Sequence, residues 1–131
     1  MIMKKIALPC APILILLSAC AFSPVDKAIE QGDWYRLGQI DGERGERAKS
    51  HKDLSVLAKK AGVSADLSLY DEGYLAGNGM YCNVQSAYHI GLSGSIYRGV
   101  CESRPESLNF RLEWQRGYDQ YKNSEGINRG F

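Results

Sequence analysis

The stretch DWYRLGQIDGERG, residues 33–45, sets Gly38, Gly42 and Gly45 behind adjacent Trp34 and Tyr35. That spacing limits what the chain can fold into. Trp34, Gly38, Gly42 and Gly45 step by four, four and three, so they share one helix face, whereas a strand needs steps of two. The pattern returns downstream. Tyr70, Gly73, Gly77 and Tyr81 step by three, four and four; Tyr88, Gly91, Gly94 and Tyr97 step by three; Phe110, Trp114, Gly117 and Tyr121 step by four, three and four. Four aromatic–glycine stripes read as degenerate internal repetition, with spacings between units too uneven for a solenoid.

Glycine inside a helix costs about 1 kcal/mol relative to alanine. Close backbone approach compensates for it, because small residues at three and four spacing let a neighbour pack almost in contact. The charges Arg36, Asp41, Glu43 and Arg44 rule out a bilayer as that neighbour. The partner is therefore expected to be another helix or an aromatic ring of the same domain, with Trp34 and Tyr35 acting as staples. The competing reading is a set of turns in an irregular or β-rich fold.

The rest of the chain fits the helical reading. Ser23 before Pro24 caps a short helix ending at Gly32, and Asp33 caps the next. SHKDLSVLAKKAG puts Leu54, Leu57, Ala58 and Ala61 on one face and stops at Gly62. Ser64 is expected to cap the following helix, with Asp66 in its first turn, and Pro105–Glu106 opens the last one. The expectation is a mostly α, small single domain of four to five helices with glycine/aromatic packing faces. It occupies residues 33–123, with a tether at 20–32 and a frayed tail at 124–131.

The N-terminus reads as an address. Lys4 and Lys5 precede an apolar run from Ile6 to Leu17, the layout of a secretory signal. The run is shorter than the roughly 20 residues a membrane-spanning helix needs. Leu17-Ser18-Ala19-Cys20 resembles the bacterial lipobox, which implies cleavage after residue 19 and lipidation of Cys20; the alternative is an ordinary signal peptide. In lipoproteins an Asp after the lipidated Cys favours the inner membrane, and Ala21 stands there instead. The expected location is the periplasmic face of the outer membrane. Loss of Lys4 and Lys5 leaves 14 of the 16 basic residues against 15 acidic ones, a formal charge of −1. Such a chain offers no basic field for nucleic acid and no polybasic run for a membrane surface.

Of four cysteines, Cys10 lies in the leader and Cys20 takes the lipid. Cys82 and Cys101 remain as an even pair in an oxidising compartment, expected to form one disulfide. Two buried thiols, or a metal site joining Cys82, Cys101, His89 and His51, are the alternatives; no metal-ligand spacing supports the latter. Residues 38–45 are Gly-x-x-x-Gly-x-x-Gly without a preceding strand or a Walker lysine, so no nucleotide or other cofactor is expected. No His-Glu-x-x-His and no Gly-x-Ser-x-Gly occurs. Asp41, Asp71, Glu72 and His89 are the residues an enzyme would use, and Cys82 with His89 or His51 would be a nucleophile–base pair only if unbridged.

The ordered set Asp-Trp-Tyr-x-x-Gly-x-x-Asp-Gly (33–42), Tyr-x-x-Gly-x-x-x-Gly (70–77), Tyr81-Cys82 and Tyr-x-Gly-x-Cys (97–101) resembles a family of small proteobacterial lipoproteins of unknown function. The resemblance spans about residues 33–121 and also takes in Gly45, Gly91 and Gly94. Members often carry a further cysteine shortly before the Gly-Val pair, where Lys60 and its neighbours stand here; if that cysteine pairs in the family, the 82–101 bridge is particular to this chain. No activity is implied. The expected function is a non-enzymatic, lipid-anchored module that binds an envelope protein or cell-wall material. An enzyme near Asp41 and His89 is the alternative, and a scaffold lipoprotein without a discrete site is a third.

Overall fold

A computed structural model describes residues 22–128. They form six helices: α1 (Pro24–Glu30), α2 (Trp34–Glu43), α3 (His51–Ala61), α4 (Leu67–Tyr81), α5 (Val84–Leu92) and α6 (Ser107–Asn128). No strand occurs among the described residues. The fold is thus a small, mostly α single domain with one disulfide. The segment expected to be a signal, residues 1–19, and the expected lipidation site Cys20 lie outside the described residues.

The stripes pair two by two. α2 packs on α4, and α5 packs on α6. A Cβ on Gly38 would overlap the Tyr70 carbonyl oxygen and stand 2.7 Å from the Tyr74 nitrogen; one on Gly42 would overlap the backbone of Tyr74 and Asn78. The arrangement is reciprocal, because Gly73 faces the Tyr35 carbonyl and Gly77 the Gln39 carbonyl. Each helix strips its face so that the other's backbone can occupy it. The contacts run from Tyr35 with Gly73 to Gln39 with Gly77, and from Gly38 with Tyr70 to Gly42 with Asn78, so α2 and α4 run parallel, and α3 carries the chain back between them. The second pair repeats the device. Gly91 faces the Trp114 carbonyl, Gly117 faces the Tyr88 carbonyl, and the loop 93–106 makes the return.

Two glycines of the stripes serve a different end. Gly45 follows the last turn of α2 with φ +66°. Its N–H reaches the Gly42 carbonyl while the Glu46 N–H reaches that of Asp41, a Schellman stop. A Cβ there would meet the Tyr81 ring. Gly94 stands after α5 at φ +79°, and the Tyr121 ring lies 2.7 Å from where its Cβ would be. Each pair therefore ends on a left-handed glycine covered by the tyrosine four residues beyond the partner helix's packing glycine (Gly77 to Tyr81, Gly117 to Tyr121). This geometry underlies the internal repetition seen in the sequence.

Several local expectations are corrected. Tyr97 is not on a helix with Tyr88: it sits in the 93–106 loop, its ring against Phe110 and Trp114 at 5.4 and 5.8 Å between centroids. Asp66, not Ser64, caps α4, its carboxylate accepting from the Leu69 N–H; the Ser64 carbonyl instead accepts from Trp34 Nε1 at 2.7 Å. Tyr35 is 40% exposed and serves α4 through its backbone carbonyl rather than by stapling. The tether region contributes α1, whose Ala28 is buried with Trp34, Leu37, Leu54, Ala58 and Tyr70. The expected tail is helical through Asn128.

Candidate functional site

Asp41 is the buried residue of α2 that packing alone does not explain. It is 3% exposed, and its Oδ2 accepts from the Tyr70 hydroxyl at 2.8 Å and from Lys49 Nζ at 2.7 Å. The same hydroxyl accepts from the Lys49 backbone N–H at 2.9 Å, and the Tyr74 hydroxyl donates to the Glu46 carbonyl at 2.8 Å. A buried charge is tolerable when it is paired and hydrogen-bonded, and here both conditions hold. The result is a clamp that holds the extended segment 46–50 on the α2–α4 pair. Burial, then the neighbouring Asp41, drives the Tyr70 hydroxyl well above the usual tyrosine range, with the Lys49 N–H opposing. Held between the Lys49 N–H and Asp41, the Tyr70 hydroxyl donates to the carboxylate.

The other carboxylates and imidazoles are dispersed. His51 Nε2 lies 3.5 Å from Asp71 Oδ2, both exposed. Glu72 is exposed, and His89 is exposed on α5 beside the Tyr88 ring. Asp41 and His89 belong to different helix pairs with separate partners, so they do not form one site. No group of three His, Cys, Asp or Glu side chains is arranged for a metal among the described residues.

The two helix pairs meet at a seam. Cys82, just past α4, is bonded to Cys101. Buried Asn78 donates to the Val100 carbonyl at 2.9 Å and accepts from Arg104 Nε at 2.8 Å, and the Tyr81 ring packs on Phe110 at 5.5 Å. The bridge thus pins the 93–106 loop to the end of α4. Tyr97 reinforces it by accepting the Cys101 N–H at 3.0 Å, and Trp114 Nε1 donates to the Ser95 carbonyl at 2.8 Å.

Above this seam runs an open groove of about 580 Å³, between the C-terminal ends of α2 and α4 on one side and α5 with the loop on the other. Tyr81 lies against it, and burial raises its hydroxyl while Arg98 draws it back. Met80 and Ile96 are 62% and 66% exposed at the groove. Arg98 Nη1 is held by Glu46 at 2.9 Å, and its carbonyl accepts from Arg47 Nε at 3.4 Å. Arg44 lines the same groove and has no ion pair among the described residues. Glu43, Ser86, Ser93 and Ser95 also line it, with the Ser93 hydroxyl 2.7 Å from the Ile90 carbonyl and 2.9 Å from the Ser95 hydroxyl.

Sequence reasoning reached Asp41, Tyr70, Tyr81 and the two cysteines through their motif positions. It missed Lys49, Arg44, Arg98, Met80 and Ile96. Arg98 was visible as the variable place in Tyr-x-Gly-x-Cys; the others carry no local signal. No helix among the described residues is long and apolar enough to cross a membrane. No curated protein and no solved structure matches the chain. Residues 33–119, from the cap of α2 into α6, match the model of the DUF2799 family, described as proteins of unknown function, and the chain belongs to that family.

Proposed function

We propose that this protein is a lipoprotein anchored through Cys20 in the cell envelope, on the periplasmic face of the outer membrane, and that it works as a non-enzymatic binding module. The lipobox-like Leu17-Ser18-Ala19-Cys20 supports the anchor, and the groove at the seam supports the binding half of this reading. It is the place where exposed aliphatic side chains, an arginine without an ion pair and several hydroxyls converge on a frame held by a disulfide and by glycine-packed helices. The clamp supports it from the other side, since Asp41 is engaged by Lys49 and Tyr70 and is spent on structure. No observation favours an enzyme built on Asp41 and His89.

Two measurements test the two parts. Replacing Cys20→Ala is expected to abolish palmitate incorporation and release the protein from membranes; continued labelling refutes the anchor. A photo-crosslinking residue placed at Met80 or Ile96 in intact cells is expected to yield a discrete adduct that the same residue at Leu69, exposed on α4 away from the groove, does not. Equal yields from all three sites, or none from the groove positions, refute the binding surface.

A further inference from the structure

The described chain starts at Phe22, two residues after Cys20, and Phe22 is 66% exposed. It lines a shallow cleft of about 300 Å³ between α1 and α3 together with Ile29, Leu57, Lys60 and Ala61. Next to that cleft, α3 turns an unusual face outward. Lys52, Val56 and Lys59 follow one another at steps of four and three, and Lys60 joins the face to the cleft. Leu54 and Ala58, on the opposite side of the helix, are buried. Val56 is 58% exposed. Lys52, Lys59 and Lys60 are exposed and have no ion pair among the described residues. Two carboxylates, Asp26 and Glu30, stand on the α1 wall of the cleft, Asp26 accepting from the Ser23 hydroxyl at 2.7 Å. On α3, Asp53 accepts from the Ser50 hydroxyl at 2.6 Å, so the lysines Lys52, Lys59 and Lys60 outnumber the acids only on the outward face of α3.

We propose that this α1–α3 end is the face on which the protein lies against its own membrane. Phe22 and Val56 enter the headgroup region, and Lys52, Lys59 and Lys60 meet anionic phospholipid headgroups. The proposal rests on the Cys20-anchored reading. Three lysines are too few to recruit a near-neutral protein from solution, because the attraction fades within about a Debye length, on the order of 10 Å. An acyl anchor two residues from Phe22 removes that difficulty. Two residues span about 7 Å at most, so the cleft is held at the surface whatever the rest of the domain does. The anchor then supplies affinity, and the lysines and apolar side chains select one orientation. The charge is collected by helical spacing rather than by a basic run, which is why the linear sequence shows no patch.

The test uses the mature lipoprotein, reconstituted into vesicles of phosphatidylcholine with or without phosphatidylglycerol and treated with an amine-reactive label read by mass spectrometry. In phosphatidylglycerol vesicles, Lys52, Lys59 and Lys60 are each expected to lose labelling several-fold relative to their own level in detergent, whereas Lys122 on α6, paired with Asp119 at 3.2 Å, labels to the same extent in both. In the double variant Lys59→Glu/Lys60→Glu, the protein is expected to float with vesicles as before but to lose the protection of Lys52. Floating protein with the three lysines labelled as in detergent overturns the proposal alone. So does protection that is equal without phosphatidylglycerol or unchanged in the variant. Protein that does not float at all overturns the anchor as well.

Discussion

Gly77 and Gly79 are two residues apart on α4, and replacing each with alanine is expected to shift stability in opposite directions. In an isolated helix either change stabilises by about 1 kcal/mol. At Gly79 the new Cβ would stand 3.4 Å from the Arg104 guanidinium, an ordinary van der Waals contact that leaves its hydrogen bond to Asn78 in place, so much of that gain survives. At Gly77 the Cβ would overlap the Gln39 carbonyl oxygen and stand 2.8 Å from the Glu43 nitrogen, both rigid backbone of α2. Relief requires α2 and α4 to part by on the order of 1 Å, which forfeits about a quarter to a half of each contact's dispersion attraction between these two helices. Overpacking of this kind costs about 3 kcal/mol at the upper end of its usual range, and the propensity gain leaves a net loss of about 2 kcal/mol. For a domain of this size that lowers the melting temperature by roughly 10 °C. Urea unfolding followed by far-ultraviolet circular dichroism, with the disulfide intact, reads the sign directly as a change in midpoint at constant slope. If Gly77→Ala unfolds at the same or higher urea than the parent, the reciprocal backbone packing of α2 and α4 is wrong.

Three further outcomes follow from the site. Asp41→Asn leaves an acceptor for Tyr70 but removes the charge that seats Lys49, and is expected to cost about 1–3 kcal/mol. Combined with Tyr70→Phe it costs less than the two singles added, and strict additivity in urea unfolding counts against the clamp. Burial holds the hydroxyls of Tyr70, Tyr74, Tyr81 and Tyr97 above the ordinary tyrosine value. The unfolded chain then loses protons above pH ~10 while the folded one keeps them, so stability is complete below that pH and falls as pH rises, by up to about 1.4 kcal/mol per unit for Tyr70. Unfolding midpoints measured from pH 8 to 11 should show the decline, and Tyr70→Phe should flatten it. Reduction of the Cys82–Cys101 bridge releases a loop with a sequence separation of 19. It is expected to cost about 3 kcal/mol, read as a lower melting temperature with reductant present; an unchanged melt refutes the bridge's role at the seam.

The helices and the places where the chain comes close to another part of itself were legible in the sequence because both leave local marks. Asp33, Ser23 and Gly62 mark helix ends through the amides and carbonyls they satisfy. Glycines at three and four spacing mark a face stripped for a neighbour, and the even pair of cysteines marked the bridge. What they lacked was an identity for that neighbour. Nothing near Gly38 indicates that Tyr70 and Tyr74 fill its place, or that Gly45 meets a ring while Gly42 meets backbone. Such pairings join residues tens of positions apart, and only folding selects among four similar stripes. The same holds for Asp41, whose motif position was evident but whose partner Tyr70, 29 residues on, is brought to it by the return of α3, while Lys49 reaches it from the 46–50 segment just after α2. Local spacing by itself determined which faces had to be bare, and tertiary structure decided what each face received, because side-chain periodicity is set within a few turns of one helix and packing is set between helices.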